Sequence, residues 1–262
     1  MGILNVTPDS FSDGGQFRTR ERALEQARQM MSDGAAIIDI GGESTRPGAS
    51  EVAEQQELDR VLPVIEALRA EFDIPISIDT SKPGVMRAAV AAGADMINDV
   101  LALQAEGALQ AAAELRVPVC LMHMQGTPRT MQDAPDYGNV VTEVASFLAA
   151  RIAACASAGI DEDLVVVDPG FGFGKTAAHN IELLANLRQL QSLGRPVLAG
   201  LSRKSTLGEL TGRAVDERVA ASVAAAVVAA TNGAAIIRAH DVAETVDAMR
   251  VVQAVLKMRK QQ

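Results

Sequence analysis

Short apolar, β-branched runs recur along the whole chain, separated by stretches of helical periodicity. The runs are MGILNVT (1–7), AAIIDIGG (35–42), PISIDTS (75–81), MINDV (96–100), PVCLMH (118–123), LVVVDPG (164–170), PVLAGLS (196–202) and AAIIRAH (234–240). Runs this short and this continuously apolar predict strands of a parallel sheet covered on both faces. Between them, segments such as ERALEQARQMMSDGA and VAEQQELDRVLPVIEALRAEF repeat apolar residues at helical spacing. Glycine closes several of these segments, in DGA (33–35), AAGAD (91–95), ASAGI (156–160) and TNGAA (231–235). A glycine there suits the left-handed end of a helix just before the next strand.

Eight strands alternating with helices predict a (β/α)₈ TIM barrel in preference to an open sheet. No Pro/Ser/Gly-rich linker or low-complexity tract divides the 262 residues, so one domain spanning 1–262 is expected.

Composition narrows the function classes. Lys and Arg number 24 against 33 Asp and Glu, a net charge of −9, and there is no basic block. Nucleic acid is therefore not an expected partner. Neither is a membrane: the apolar stretch VAASVAAAVVAATNGAAIIRAH is broken at Asn232-Gly233 and too short to span a bilayer, and the N-terminus does not read as a signal peptide. Cys120 and Cys155 lie in apolar surroundings without metal-ligand spacing, so buried thiols in a reducing, cytoplasmic compartment are expected.

In a barrel of this kind the site lies at the C-terminal ends of the strands. Those ends carry Asn5, Asp39 with Glu43-Ser44-Thr45-Arg46, Asp79, Asn98-Asp99, His123, Asp168, Ser202-Arg203-Lys204, and Arg238 with His240. One polar strand end is readily a helix cap; polar chemistry at all eight points to a site. Asp and Asn side chains suit the donor-rich edge of a heterocycle, because a carboxylate offers two parallel acceptors. Arg46, Arg203, Lys204, Arg238 and His240 suit an anion, and four of the five fall near strands seven and eight, where barrels often bind phosphate. A polar heterocycle joined to a phosphate or pyrophosphate is the substrate class this predicts.

Two patterns mislead. GFGFGKT (170–176) has Pro169 where a phosphate loop needs glycine, and Lys175 where a dinucleotide fingerprint needs its third glycine. The three histidines, His123, His179 and His240, are too scattered to predict a zinc site, and His123 reads first as a satisfied core residue. The segments 7–17 and 42–51 are rich in Gly, Pro, Ser and Asp and predict surface loops able to act as lids. Phe11 in the first reads either as a lid aromatic or as a tip packed on a helix.

GILNVTPDSFSDGG, IDIGGESTRPG, SIDTSKP, IND (97–99), LMHMQG, DPGFGFGK, LSRKS and IRAHDV together resemble the dihydropteroate synthase family, in order and over essentially the whole chain. The resemblance implies the barrel fold and a Mg²⁺-assisted condensation of 6-hydroxymethyl-7,8-dihydropterin pyrophosphate with 4-aminobenzoate, giving 7,8-dihydropteroate and pyrophosphate. It further implies a folate-pathway transferase, a sulfonamide target and a homodimer, with residues 215–231 either at the interface or packed on their own barrel.

By the same resemblance, Asp79, Asn98, Met122, Asp168, Lys204 and Arg238 would hold the pterin, with a plain core role left open for Met122. Phe11, Thr45, Arg46, Pro47, Phe173 and Ser202 would form the aminobenzoate pocket and its loops. Asn5, Arg238 and His240 would hold the pyrophosphate, and Asn5 would contact the metal. Asp79, Lys204, Arg238 and His240 would carry the catalysis, by a dissociative, SN1-like route.

The family usually carries a further segment, often a hairpin, before the first strand. Met1 is followed at once by a predicted strand, so that segment is expected to be missing, through truncation or a late start. Two other readings stand beside this one. A methyltetrahydrofolate-binding barrel of a corrinoid methyltransferase would need neither SRK nor IRAH nor STRPG. A non-catalytic pterin-binding paralogue would be expected to have lost strand-end residues, and the main ones are present.

Overall fold

The computed structural model describes residues 1–7, 16–44, 48, 51–127 and 130–259, and no side chains over 16–19. The strands fall inside the predicted runs: β1 (Gly2–Asn5), β2 (Ile38–Gly41), β3 (Ile76–Asp79), β4 (Met96–Asp99), β5 (Val119–Met122), β6 (Val165–Asp168), β7 (Leu198–Ala199) and β8 (Ile236–Ile237). Helices alternate with them: α1 (Gln16–Ser32), α2 (Glu54–Glu71), α3 (Pro83–Ala91), α4 (Ala108–Leu115), α5 (Val140–Ser157) and α6 (Ala177–Ala185). Two more, α7 (Ser205–Thr211) and α8 (Val219–Thr231), lie between β7 and β8, and α9 (Val242–Arg259) follows. Gly34, Gly93, Gly159 and Gly233 all take positive φ directly after helices, as the sequence pattern predicts.

All pairings are parallel. A continuous ladder runs β1-β2-β3-β4-β5-β6, and β7 pairs with β8. Single bridges make the two joins: Val167↔Val197 links β6 to β7, and Gly2↔Ala239 links the end of β8 to β1. The strands thus follow one another around a (β/α)₈ barrel, with short joins on both sides of the β7–β8 pair.

Alternation along each strand explains how nearly continuous apolar runs also build a polar site. Leu4, Ile38, Ile40, Ile76, Ile78, Ile97, Val119, Leu121, Val165, Val167 and Ala199 join the main core between strands and helices. The intervening positions face into the barrel. Near the strand starts these are apolar, with Met96, Cys120, Val166 and Leu198 clustered and Met1 and Ile236 packed on them. Toward the strand ends the same inward register carries Asn5, Asp39, Asp79, Asn98, Asp168 and Arg238. The barrel is therefore dry at one end and polar at the other.

Helix α5 is long and apolar enough to cross a bilayer by length and composition. It packs on the barrel through Val140, Val141, Val144, Leu148 and Cys155, and Arg151 within it donates to the carbonyls of Ala102 and Leu103. Both cysteines are free and buried, as expected from their surroundings.

The loop from β6 to α6 packs tightly against the segment after β5. Gly170 has φ +67°, and a Cβ there would lie 1.9 Å from the carbonyl oxygen of His123; Gly174 has φ +63°, with its Cβ site 2.4 Å from the Gln125 carbonyl oxygen. In both cases the nearest atom is a backbone carbonyl oxygen, which cannot swing away as a side chain would. Gly170→Ala is expected to lower stability by more than about 2 kcal/mol, read as a shift in the urea midpoint. A change below about 0.5 kcal/mol would show that the loop relaxes around a methyl group.

Candidate active site

Arg238, just beyond β8, is the centre of the polar end of the barrel. Its Nε donates to Asp39 Oδ2 at 2.6 Å and its Nη2 to Asp79 Oδ2 at 2.8 Å. Asn98 Nδ2 donates to the same Asp39 oxygen at 3.1 Å. Asp39 is fully buried, and its other oxygen, Oδ1, has no hydrogen-bond partner among the described residues. Gly41 keeps this mouth open: a Cβ there would lie 3.7 Å from Asn5 Oδ1 and 3.8 Å from Asp79 Oδ2. Asn5, Asp79 and Arg238 therefore face one space.

Two carboxylates and one guanidinium in a buried cluster shift one another. Burial raises the Asp79 carboxyl to about 7; Arg238 opposes the rise and Asp39 adds to it. Burial likewise raises Asp168, against the pull of Lys204. Burial works against the Arg238 charge, but Asp39 and Asp79 outweigh it and raise the group further. Removing the guanidinium would take the ion-pair partner from Asp39 and let Asp79 rise further, a loss of about 3–5 kcal/mol by analogy with broken buried ion pairs.

A second group sits across the barrel on the loop after β6. Asp168 Oδ1 accepts from the Gly170 N–H at 2.7 Å. Lys204 donates to the Phe171 carbonyl, and its ammonium lies 4.6 Å from the centroid of the Phe173 ring. Burial lowers Lys204 to about 8, with Asp168 holding it up. Met122 is buried beside this loop, its Cγ 3.2 Å from where a Cβ on Gly170 would sit. Ser202 turns toward β8: its Oγ lies 3.0 Å from His240 Nδ1 and accepts from the His240 N–H at 3.1 Å.

Other strand-end residues are committed elsewhere. Asp99 accepts from Ser81 and from the N–H groups of Leu101 and Leu103, so it caps its own loop. Arg203 pairs with Asp241, and Glu43 pairs with Lys82, which also binds buried Glu57 at 2.6 Å. His123 is a satisfied buried histidine, its Nδ1 2.9 Å from Lys175 Nζ. Phe11, Thr45, Arg46 and Pro47 lie outside the described residues. No cluster of three or more His, Cys, Asp or Glu able to hold a metal is found among the described residues.

The sequence reading placed Asp39 among the polar strand ends without an individual role, and gave Lys175 none. The two-residue alternation sets Asp39 on the inward face beside Asp79 and Asn98. For Lys175 the available signal was a lysine in a glycine-rich, otherwise apolar run with no acidic neighbour in sequence.

A family model for pterin binding enzymes matches residues 1–240. The chain belongs to the dihydropteroate synthase family of pterin-binding enzymes. It is similar to the dihydropteroate synthase of Escherichia coli K12, at 53% identity over 99% of this chain and 92% of that protein. Among solved structures it resembles the Yersinia pestis dihydropteroate synthase in complex with a sulfonamide drug, with TM-score 0.94 and 54% identity, covering 98% of this chain and 94% of that one. It also resembles the Xanthomonas albilineans enzyme in complex with 7,8-dihydropteroate, with TM-score 0.89 and 56% identity, covering 98% and 92%. Family and barrel agree with the sequence reading.

The Asp79 shift sets a sign for pH dependence. Its folded value of about 7 lies above the ordinary 3.8. Its contribution to stability is therefore complete below 3.8 and is lost as pH rises toward 7, because the folded state holds the proton longer. In a carboxyl-carbon NMR titration of the free protein, the signal that vanishes in Asp79→Asn is expected to titrate near 7. Asp39→Asn removes a like charge and moves that midpoint down. A wild-type midpoint near the ordinary 3.8 would mean that the guanidinium outweighs burial.

Proposed function

We propose that this chain is a dihydropteroate synthase, condensing 6-hydroxymethyl-7,8-dihydropterin pyrophosphate with 4-aminobenzoate. The observation that carries the reading is Arg238 clamped between Asp39 and Asp79 at the barrel mouth, with Asn98 on the same carboxylate. That array offers carboxylate acceptors and an amide to a heterocycle with adjacent ring N–H and amino groups. The relatives' names and the bound dihydropteroate of one of them support the same reading.

In this reading Asp79, Asn98, Met122 and Asp168 receive the pterin, with Lys204 and Arg238 along its faces. Phe173 and Ser202 border the aminobenzoate, joined by Phe11, Thr45, Arg46 and Pro47 from the two loops. The C–O bond to pyrophosphate breaks, and its electron pair leaves with the pyrophosphate. Arg238, His240 and Asn5 take up that developing charge, which is worth more in the transition state than before it. The methylene carbon becomes cationic, and the pterin delocalises the charge beside the fixed carboxylates. The aniline nitrogen then forms the new C–N bond and passes one of its two protons to water. An aniline is neutral at pH 7 and needs no strong base.

Mg²⁺ fits this donor set best as an ion carried in on the pyrophosphate and met by Asn5. Magnesium keeps several waters and is commonly held by one or two protein groups plus substrate phosphates, so no dedicated cage is required. When bound it would neutralise charge on the leaving group.

A homodimer is also proposed. Val228 on α8 and Val251, Val255 and Met258 on α9 are exposed, while α8 buries Ser222, Ala225, Ala226 and Ala229 on its inner side. The buried free thiols fit a reducing, cytoplasmic setting.

The deciding measurement is pyrophosphate release from the pterin substrate, with Mg²⁺ present, with and without 4-aminobenzoate. Release that depends on 4-aminobenzoate and yields dihydropteroate is expected, inhibited by sulfonamides and abolished by chelation. Asp79→Ala should lower turnover by at least about 10²-fold while circular dichroism stays native. Wild-type turnover in that variant, or pterin binding without product, would remove the assignment. Sedimentation velocity should give twice the chain mass; a monomer at micromolar concentration would remove the dimer.

A further inference from the structure

Lys175 is a buried lysine that the chemistry above does not use. It is 3% exposed, and its ammonium sits inside the loop from β6 to α6. Nζ lies 2.9 Å from His123 Nδ1, 2.9 Å from the Gly170 carbonyl and 3.0 Å from the Phe173 carbonyl. In the charged form three protons meet three acceptors, with the His123 carbonyl farther off at 3.4 Å; burial lowers Lys175 to about 7, with Asp168 holding it up. Burial, followed by the nearby lysine charge, lowers His123 to about 3, so its ring is neutral, and in the Nε2–H tautomer Nδ1 offers a lone pair to the lysine. The ring itself is held edge-on to Phe147, with centroids 4.9 Å apart.

The same few residues of loop point outward to the site. Between the two carbonyls that bind Lys175, the Phe171 carbonyl accepts from Lys204. The Gly170 N–H donates to Asp168, and the Phe173 ring lies under the Lys204 ammonium. Gly172, at φ +81°, brings the loop against Lys204, with its Cβ site 3.2 Å from Lys204 Cδ. One peptide segment is therefore gripped from behind by Lys175 and presents its front to Asp168, Lys204 and the pocket.

We propose that Lys175, seated on His123, is a positioning residue for the synthase reaction. Its ammonium fixes the carbonyls of Gly170 and Phe173 and thereby sets where the Phe171 carbonyl holds Lys204 and where the Phe173 ring stands beside the aminobenzoate. The inference rests on the synthase reading above. A displacement of about 1 Å at reacting groups can cost on the order of 10²-fold in rate, so a lysine that touches no substrate still governs turnover.

The test compares Lys175→Met, His123→Leu and His123→Asn with the wild-type chain by steady-state kinetics per folded molecule. Lys175→Met is expected to raise the KM for 4-aminobenzoate and lower kcat/KM by about 10²-fold. His123→Leu should act in the same direction by less. His123→Asn should recover most of that loss, because Asn Oδ1 can stand where the ring nitrogen stood. Combining Lys175→Met with Phe173→Ala should cost less than the two effects added, since both act on one wall.

A Lys175→Met protein that melts earlier but keeps KM and kcat within about twofold would overturn the proposal, because only the fold would then depend on the lysine. Should that variant not fold, equal kinetics in His123→Leu and His123→Asn would overturn it instead. Calorimetric binding of 7,8-dihydropteroate separates the two layers of argument. A wild type that binds the compound without turnover is a failure of the synthase reading, while equal affinity in wild type and Lys175→Met is a failure of this one.

Discussion

One guanidinium shared between two buried carboxylates holds the polar end of this barrel together. Arg238 reaches from the last strand to Asp39 and Asp79 on the second and third. Backbone pairing is thin at that seam, where β8 has two residues and meets β1 through the single bridge Gly2↔Ala239. Side-chain charge thus adds to one of the two joins that a single bridge makes. The carboxylates in turn tolerate burial only because the cation is there.

Asp39 Oδ1 apart, several site groups already have partners in one another or in nearby backbone. Asn98 donates to Asp39, Asp168 accepts from Gly170, Lys204 donates to the Phe171 carbonyl, and Ser202 meets His240. A ligand entering this space exchanges one set of hydrogen bonds for another, so its gain is the difference and not the sum. What it does gain is geometry: acceptors and donors held in place by strands whose outer faces are locked in the apolar core. Rigidity is supplied by the helices, and polarity by the inward register.

Much of this is legible in the chain because two periods are superposed. The apolar residues at every second strand position, with glycines after the helices, lead directly to the barrel, and the polar residues between them lead to the rim. Asp79, Asn98 and Arg238 are visible as strand ends for that reason. Less legible is which polar residues turn inward to one space and which serve their neighbours. Asp99 and Arg203 look like site groups, yet one caps a loop and the other pairs with Asp241, because local hydrogen bonds compete for short polar side chains and for guanidinium groups. Lys175 was hidden by the opposite effect. Its partners are backbone carbonyls and a ring nitrogen, which no spacing of side chains announces.

The distance along the chain between Arg238 and its partners has a consequence for biosynthesis. Arg238 is separated from Asp39 by 199 positions and from Asp79 by 159. A ribosome emits residues in order, so Asp39 and Asp79 wait in a growing chain while nearly all the remaining strands are made. Through that interval the two carboxylates have no guanidinium to face, and the ladder from β1 to β6 has open edges. The nascent chain is then at its most exposed to misassociation. The contacts of Arg238 with Asp39 and Asp79 can form only after the eighth strand has emerged.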